Sequence, residues 1–239
     1  MTGGNYLALI ISALALTISV YGAVERRNVL RQAERQRLAS LIIDLDKLHY
    51  EQLKSPDGLG PGDLADSINS LRALLSAQAL ALLPAFTREV TSSELRALAF
   101  ALDRAGYRED GERIWGRAID KGSREGVTQE LHARRGYAYF LWNAGRADDA
   151  GSAMRAAVDS IPPTDDHITA KIETLKFWAN GEFAAAPERR VMAEELLAEA
   201  RRLVAGVTSS RLRTELYRLL DGPNPWPTAT DDPASTTPP

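Results

Sequence analysis

The sequence predicts an all-α protein: a single transmembrane helix followed by a helical hairpin and a short α-solenoid of paired helices. Three observations predict it. Residues 6–24, YLALIISALALTISVYGAV, form an apolar run without one charged side chain. Beyond that run, leucines return at three- and four-residue spacings, the period of a helix with one apolar face. The alternation of β-branched and polar residues that marks strands never persists.

At about 1.5 Å per residue, the apolar run reaches roughly 28 Å as a helix, close to the hydrocarbon thickness of a bilayer. A cleaved signal peptide would begin with basic residues and end in small ones. Here Met1 to Asn5 holds no Lys or Arg, and a cut after Ala23 would leave Tyr21 at the −3 position, so the run is expected to be a retained anchor. The next segment, ERRNVLRQAERQR, carries Arg26, Arg27, Arg31, Arg35 and Arg37 against Glu25 and Glu34. Cationic flanks stay on the cytoplasmic side, which predicts a single-pass inner (plasma) membrane protein with its N-terminus outside and its C-terminal domain cytoplasmic. The same arginines suit anionic headgroups as any basic flank does, at about 1 kcal/mol each. Ala8, Ser12, Ala15, Ser19 and Gly22 share one face of the span, a seam through which a homodimer would form.

The 239 residues carry a formal net charge of −3 and 44% apolar residues, an ordinary globular composition once the span is removed. Charge is balanced through Leu220, and the lack of a basic field argues against a nucleic-acid partner. Cysteine is absent, so neither a disulfide framework nor thiolate chemistry is expected. The expected organisation is 1–24 for the N-terminal tail and transmembrane helix and 25–90 for a juxtamembrane helical hairpin. A helical-repeat domain with a capping helix follows over 91–222, then a disordered Pro/Thr-rich tail over 223–239.

Nothing between Glu25 and Lys54 breaks a helix, and Leu38, Leu41, Leu45 and Leu48 form its seam. The Pro/Gly-rich 55–62 makes a turn. A second helix from Asp63 has Leu64, Ile68, Leu71 and Leu75 on its seam, with Gln78 a polar interruption before Leu82; Pro84 ends or kinks it. Two similar seams across a short loop predict an antiparallel hairpin rather than a parallel dimeric coil. Thr91 to Glu94, TSSE, matches a capping box. Helices are then expected over 92–104 and 108–121, with a loop at 122–126. Another pair follows over 128–143 and 147–160, divided by Gly145 and stopped by Pro162-Pro163. A third, degenerate unit spans 166–180 and 188–205 with Gly181 as its turn. A last helix over 210–220 would cap the stack.

The first two pairs echo each other. Leu98-Ala99, Leu102, Gly106, Gly111, Trp115 and Ala118 return thirty-nine residues later as Tyr137-Ala138, Leu141, Gly145, Ala150, Met154 and Ala157. This pattern over 92–162 resembles the tetratricopeptide repeat, a helix–turn–helix unit with small residues where its helices cross. The sequence departs from that family in its missing early tryptophan, replaced by Leu95 and Arg134, in Ala99 and Ala138 at the first crossing, and in an insertion of about five residues in the first unit.

In that family the first helix of each unit lines a concave peptide groove. Carried over, the resemblance places Ser93, Arg96, Phe100, Asp103 and Arg104 in the groove from the first unit, and His132, Arg135, Tyr139, Trp142 and Asn143 from the second. The residues expected to grip a partner are Arg96, Phe100, Arg104, Arg135, Tyr139 and Trp142. Guanidinium groups pair with carboxylates and rings bury area, so an unidentified protein or a short acidic peptide would suit them. The competing reading makes Tyr139 and Trp142 core residues.

No motif supports catalysis. His49, His132 and His167 fall on separate helices without metal-ligand spacing. Walker A, GxGxxG and GxSxG patterns are absent. Acidic pairs such as Asp148-Asp149 sit at helix starts, where the helix dipole favours them. No enzyme, cofactor or metal is expected. The chain is expected to be a membrane-anchored scaffold that binds a protein; the alternative is a regulatory or sensory membrane component that dimerises and relays a signal through its hairpin.

Overall fold

The computed structural model describes residues 3–54 and 63–222. The expected turn over 55–62 and the expected tail over 223–239 lie outside the described residues. Among those described, every regular element is helical: α1 Gly3–Lys54, α2 Asp63–Leu82, α3 Ser92–Arg104, α4 Arg108–Glu125, α5 Val127–Asn143, α6 Ala147–Asp159, α7 Ile168–Ala185, α8 Arg190–Ala205 and α9 Ser210–Asp221. Short 3-10 turns lie at Leu83–Phe86, Asp165–His167 and Pro187–Arg189. The chain divides into two compact units, Met1–Val90 and Thr91–Pro239.

In the first unit, α1 runs for 52 residues and carries the apolar run within it. The side chains of 3–15, which include Ala8, Ser12 and Ala15 of the small-residue stripe, lie outside the described residues. Leu38, Leu41, Ile42 and Leu45 are buried. The α2 seam differs from the expected one. Leu71 and Leu74 are 43% and 56% exposed, while Arg72, Ser76, Ala79, Leu83 and Phe86 are buried. The packed face has the expected spacing but starts one residue later, because Ser76 and Ala79 are small enough to bring the α2 backbone close to its neighbour. Arg37 Nη2 donates to Gln78 Oε1 at 3.3 Å between α1 and α2. Among the described residues, Asp66–Phe86 is long and apolar enough to cross a membrane by length and composition. Its one-sided burial around Arg72 is also the pattern of a helix packed in a protein core.

The second unit is a succession of helices in which each packs on the next, and α3, α5, α7 and α9 also touch in turn. Its start is fixed by the capping box: Thr91 accepts from the Glu94 N–H, and the Glu94 carboxylate accepts from the Thr91 N–H at 2.9 Å. Two helices of the stack then end alike. Gly106 and Gly145 take φ of 84° and 73°, the left-handed region where glycine carries no Cβ penalty. After α3, Tyr107 N donates to Leu102 O at 2.9 Å and Gly106 N to Asp103 O at 3.0 Å. After α5, Arg146 N and Gly145 N repeat this with Leu141 O and Trp142 O, both at 2.9 Å. Both ends are Schellman caps, thirty-nine residues apart. Ala99, Leu102, Trp115 and Ala118 in the first pair, and Ala138, Leu141, Met154 and Ala157 in the second, are all buried.

Two glycines do other work than expected. Gly122 does not open a loop; α4 continues to Glu125, and a Cβ at Gly122 would meet the Gln129 carbonyl at 3.0 Å. Gly181 is not a turn but lies inside α7, where a Cβ would meet the Trp142 indole at 2.5 Å. The break falls instead at Ala186, whose extended backbone leads into Pro187. Gly136 repeats the notch, with Trp115 Cη2 at 2.4 Å from such a Cβ. A large ring on one helix, α4 or α5, thus fills a gap left by a missing side chain on another, α5 or α7, which lets the two pack closely.

Candidate functional site

The six residues that the sequence singles out come from α3 and α5, helices that touch in the stack. On α3, the Phe100 ring stands edge-on to Trp115 at 4.8 Å between centroids, and Tyr139 of α5 lies 6.1 Å away. Arg104 is exposed and holds its guanidinium over Phe100, 5.6 Å from the ring centre, a cation–π contact. Tyr139 is 37% exposed. The structure therefore gathers Phe100, Arg104 and Tyr139 into one partly exposed aromatic–cationic patch.

The other three sit deeper. Arg96 is half-buried; its Nη2 reaches Ser93 Oγ at 3.4 Å, and its Nε is buried without a hydrogen-bond partner. Arg135 is turned toward α7: its Nη2 donates to Ala170 O at 3.1 Å and to Thr174 Oγ1 at 2.5 Å, and its Nη1 lies 3.9 Å from Glu173. Trp142 is only 8% exposed, tilted against Phe177 at 6.2 Å and seated on Gly181.

Charge on this face is positive and only partly compensated. Burial lowers the pKa of Arg96, with Glu125 opposing, and lowers that of Arg135, with Glu173 opposing. His132 is held below its usual value by burial and then by the Arg96 and Arg135 charges, against Glu173. Two partly buried guanidiniums thus lie near an imidazole whose protonation they disfavour. An anion arriving there would gain more than at an open surface, because the medium screens less.

Sequence reasoning missed two polar networks elsewhere in this unit. Glu182, fully buried within apolar α7, accepts from Trp178 Nε1 at 2.8 Å and from Arg189 at 2.6 Å; Arg189 also pairs with Asp148. Glu112 accepts from Tyr137 Oη and Arg146 Nη1, each at 2.8 Å. Burial would raise the Glu112 carboxyl, but the Arg146 and Tyr137 hydrogen bonds outweigh it and hold the pKa low; burial and the same bond push Tyr137 up to about 12. The only signal for the first network was Glu182 as the one charged residue in the last nine of α7, and the second left none. Both tie neighbouring helices together. A cleft of about 590 Å³ between α6, α7 and α8 is lined by Arg155, Lys171 and Arg202 against Asp159, Glu195 and Glu199, a balanced set away from the α3–α5 face.

Among the described residues, no three His, Asp or Glu side chains converge as a metal ion would require. Compared with known proteins, the chain matches no family model, no curated protein and no solved structure.

Proposed function

We propose that the chain is a membrane-anchored, tetratricopeptide-like repeat protein whose α3–α5 face binds an acidic segment of a protein partner. The carrying observation is the patch of Phe100, Arg104 and Tyr139 beside the dehydrated cations of Arg96 and Arg135. Rings and guanidiniums of this kind dominate protein contacts, because they bury large area and form bidentate pairs with carboxylates. The anchor rests on the uncharged run at 6–24, its length and the arginines behind it. The domain accordingly lies on the cytoplasmic side of the inner membrane.

A photo-crosslinking side chain at Tyr139 in the intact protein tests the face, with one at Arg211 on α9 as a control. The expected result is a discrete adduct from position 139 that disappears when Arg96 and Arg104 become Gln, with the thermal unfolding curve unmoved. Equal adducts from both positions, or adducts indifferent to the two arginines, defeat the reading. Resistance to alkaline extraction tests the anchor, and a reporter fused after Pro239 gives the side.

Leu71 and Leu74, exposed on α2, favour a second reading in which this unit dimerises and relays a state to a partner. As the chain lacks cysteine, Leu74→Cys offers a clean test: rapid oxidative cross-linking in membranes supports it, and an unreactive thiol removes it.

A further inference from the structure

Where α1 leaves the apolar run, its next turns form one wall of a cleft of about 620 Å³, lined by Arg26, Arg27, Leu30 and Arg31 of α1 and by Ala85 and Phe86 of the Leu83–Phe86 turn. We propose that this cleft seats the phosphate of an anionic membrane lipid, an inference that rests on the anchor reading. Position is the first support. Arg26 is two residues beyond the end of the run at 6–24, about 3 Å along a helix, so the cleft opens at headgroup depth.

Charge is the second. Glu34 also lines the cleft, and Arg31 is committed to Glu89 at 2.5 Å. Arg26 and Arg27 are exposed and, among the described residues, have no acidic side chain in ion-pair range. The site thus keeps about one uncompensated positive charge, which one phosphodiester would match through two planar guanidiniums.

Shape is the third. The rest of the wall is greasy: Phe86 is buried at the base, and Leu30 is 66% exposed beside the arginines. A headgroup held by Arg26 and Arg27 would lay its acyl chain back past Ala23 toward the exposed Val20, with Leu30 covering the headgroup side of the cleft. Free phosphate would gain nothing from that apolar wall, and a lipid gains from both.

The test is native mass spectrometry of the full chain in detergent, titrated with phosphatidylglycerol, phosphatidylcholine or inorganic phosphate. Phosphatidylglycerol should bind at least tenfold more tightly than phosphatidylcholine. The double variant Arg26→Gln, Arg27→Gln should weaken it about thirtyfold, from about fivefold per arginine near a membrane surface. Lys47→Gln with Arg88→Gln removes the same charge from this unit outside the cleft and should leave binding within twofold. Equal loss in both double variants reduces the effect to net charge and overturns the site. So does equal binding of the two lipids, or displacement of the lipid by equimolar inorganic phosphate. Alkaline extraction separates this from the anchor: a protein that stays in the membrane yet shows no lipid preference loses the cleft alone, whereas one that washes out loses both.

Discussion

Arg96, Phe100 and Asp103 on α3 stand thirty-nine residues before Arg135, Tyr139 and Trp142 on α5, the same offset that separates the two Schellman caps. Their fates differ. Arg96 reaches Ser93 on its own helix and feels the Glu125 charge, but Arg135 is fixed by Ala170, Thr174 and Glu173 of the following helix pair. Asp103 is half-buried, while Trp142 is driven into the Gly181 notch. A shared register is therefore not a role. Whether a position presents its side chain to a ligand or to the core depends on what the next helix pair offers it, and here α7 carries Gly181 and Thr174 where α5 has Trp142 and Arg135 at the places thirty-nine residues earlier.

The sharpest way to break this comparison is truncation at the paired positions. Trp142→Ala should lose about 3–5 kcal/mol, the usual cost of emptying a buried aromatic site. Asp103→Ala removes a half-buried carboxylate with a 3.8 Å ion pair to Arg108 and should stay within about 1 kcal/mol. Urea unfolding measures both, and equal losses would mean that α5 is no more core than α3.

Next come the notches. Gly181→Ala and Gly136→Ala each put a methyl inside an indole, at 2.5 and 2.4 Å, and should cost about 1–3 kcal/mol as overpacking does. Gly116→Ala, in the same kind of helix interior but with nothing within 4 Å, should instead stabilise by up to about 1 kcal/mol. Opposite signs in thermal melts sharpen the claim that these glycines serve packing; a shared sign removes it.

A smaller contrast separates the arginines. Arg135→Met strips the hydrogen bonds that reach α7 and should cost about 1–3 kcal/mol, since hydrogen bonds to a charged group are the stronger kind. Both arginines bury an Nε without a hydrogen-bond partner, but the Arg96 bond stays on its own helix, so Arg96→Met should be close to neutral, within about 0.5 kcal/mol.

The smallest effect is on pH. The folded pKa of His132 lies below 6.5, so as pH falls the unfolded chain takes up the proton first. Stability should then decline as pH drops below about 6.5, and His132→Gln should flatten that slope. The depressed Glu112 carboxyl acts in the same direction but at lower pH, below its ordinary 4.5, so denaturation between pH 6.5 and 5 isolates the histidine. An unchanged slope in the variant would detach His132 from the Arg96 and Arg135 field.

Much of the helical layout was legible in the sequence because its signals are local. The capping box at Thr91, the glycine after α3 and the glycine after α5 each act through bonds to residues three to five positions away. The α2 seam was misread by one residue for a different reason. Leucine periodicity names the greasy face, but close approach is granted by small side chains, and Ser76 and Ala79 lie beside the leucines rather than among them. Within the candidate site, the residue types and their shared face were visible, and the partition between patch and core was not.

What the amino-acid order determined alone is the run without charge, its arginine flank, the helical period and the positions where helices must stop, since each follows from backbone hydrogen bonding and solvation over a few residues. The tertiary structure decided which glycine is a turn and which is a socket, which arginine faces solvent and which is tied to α7, and that Arg26 and Arg27 line one cleft with Phe86. Those outcomes depend on side chains about 20 to 60 residues apart along the chain, and no local periodicity records what will stand opposite.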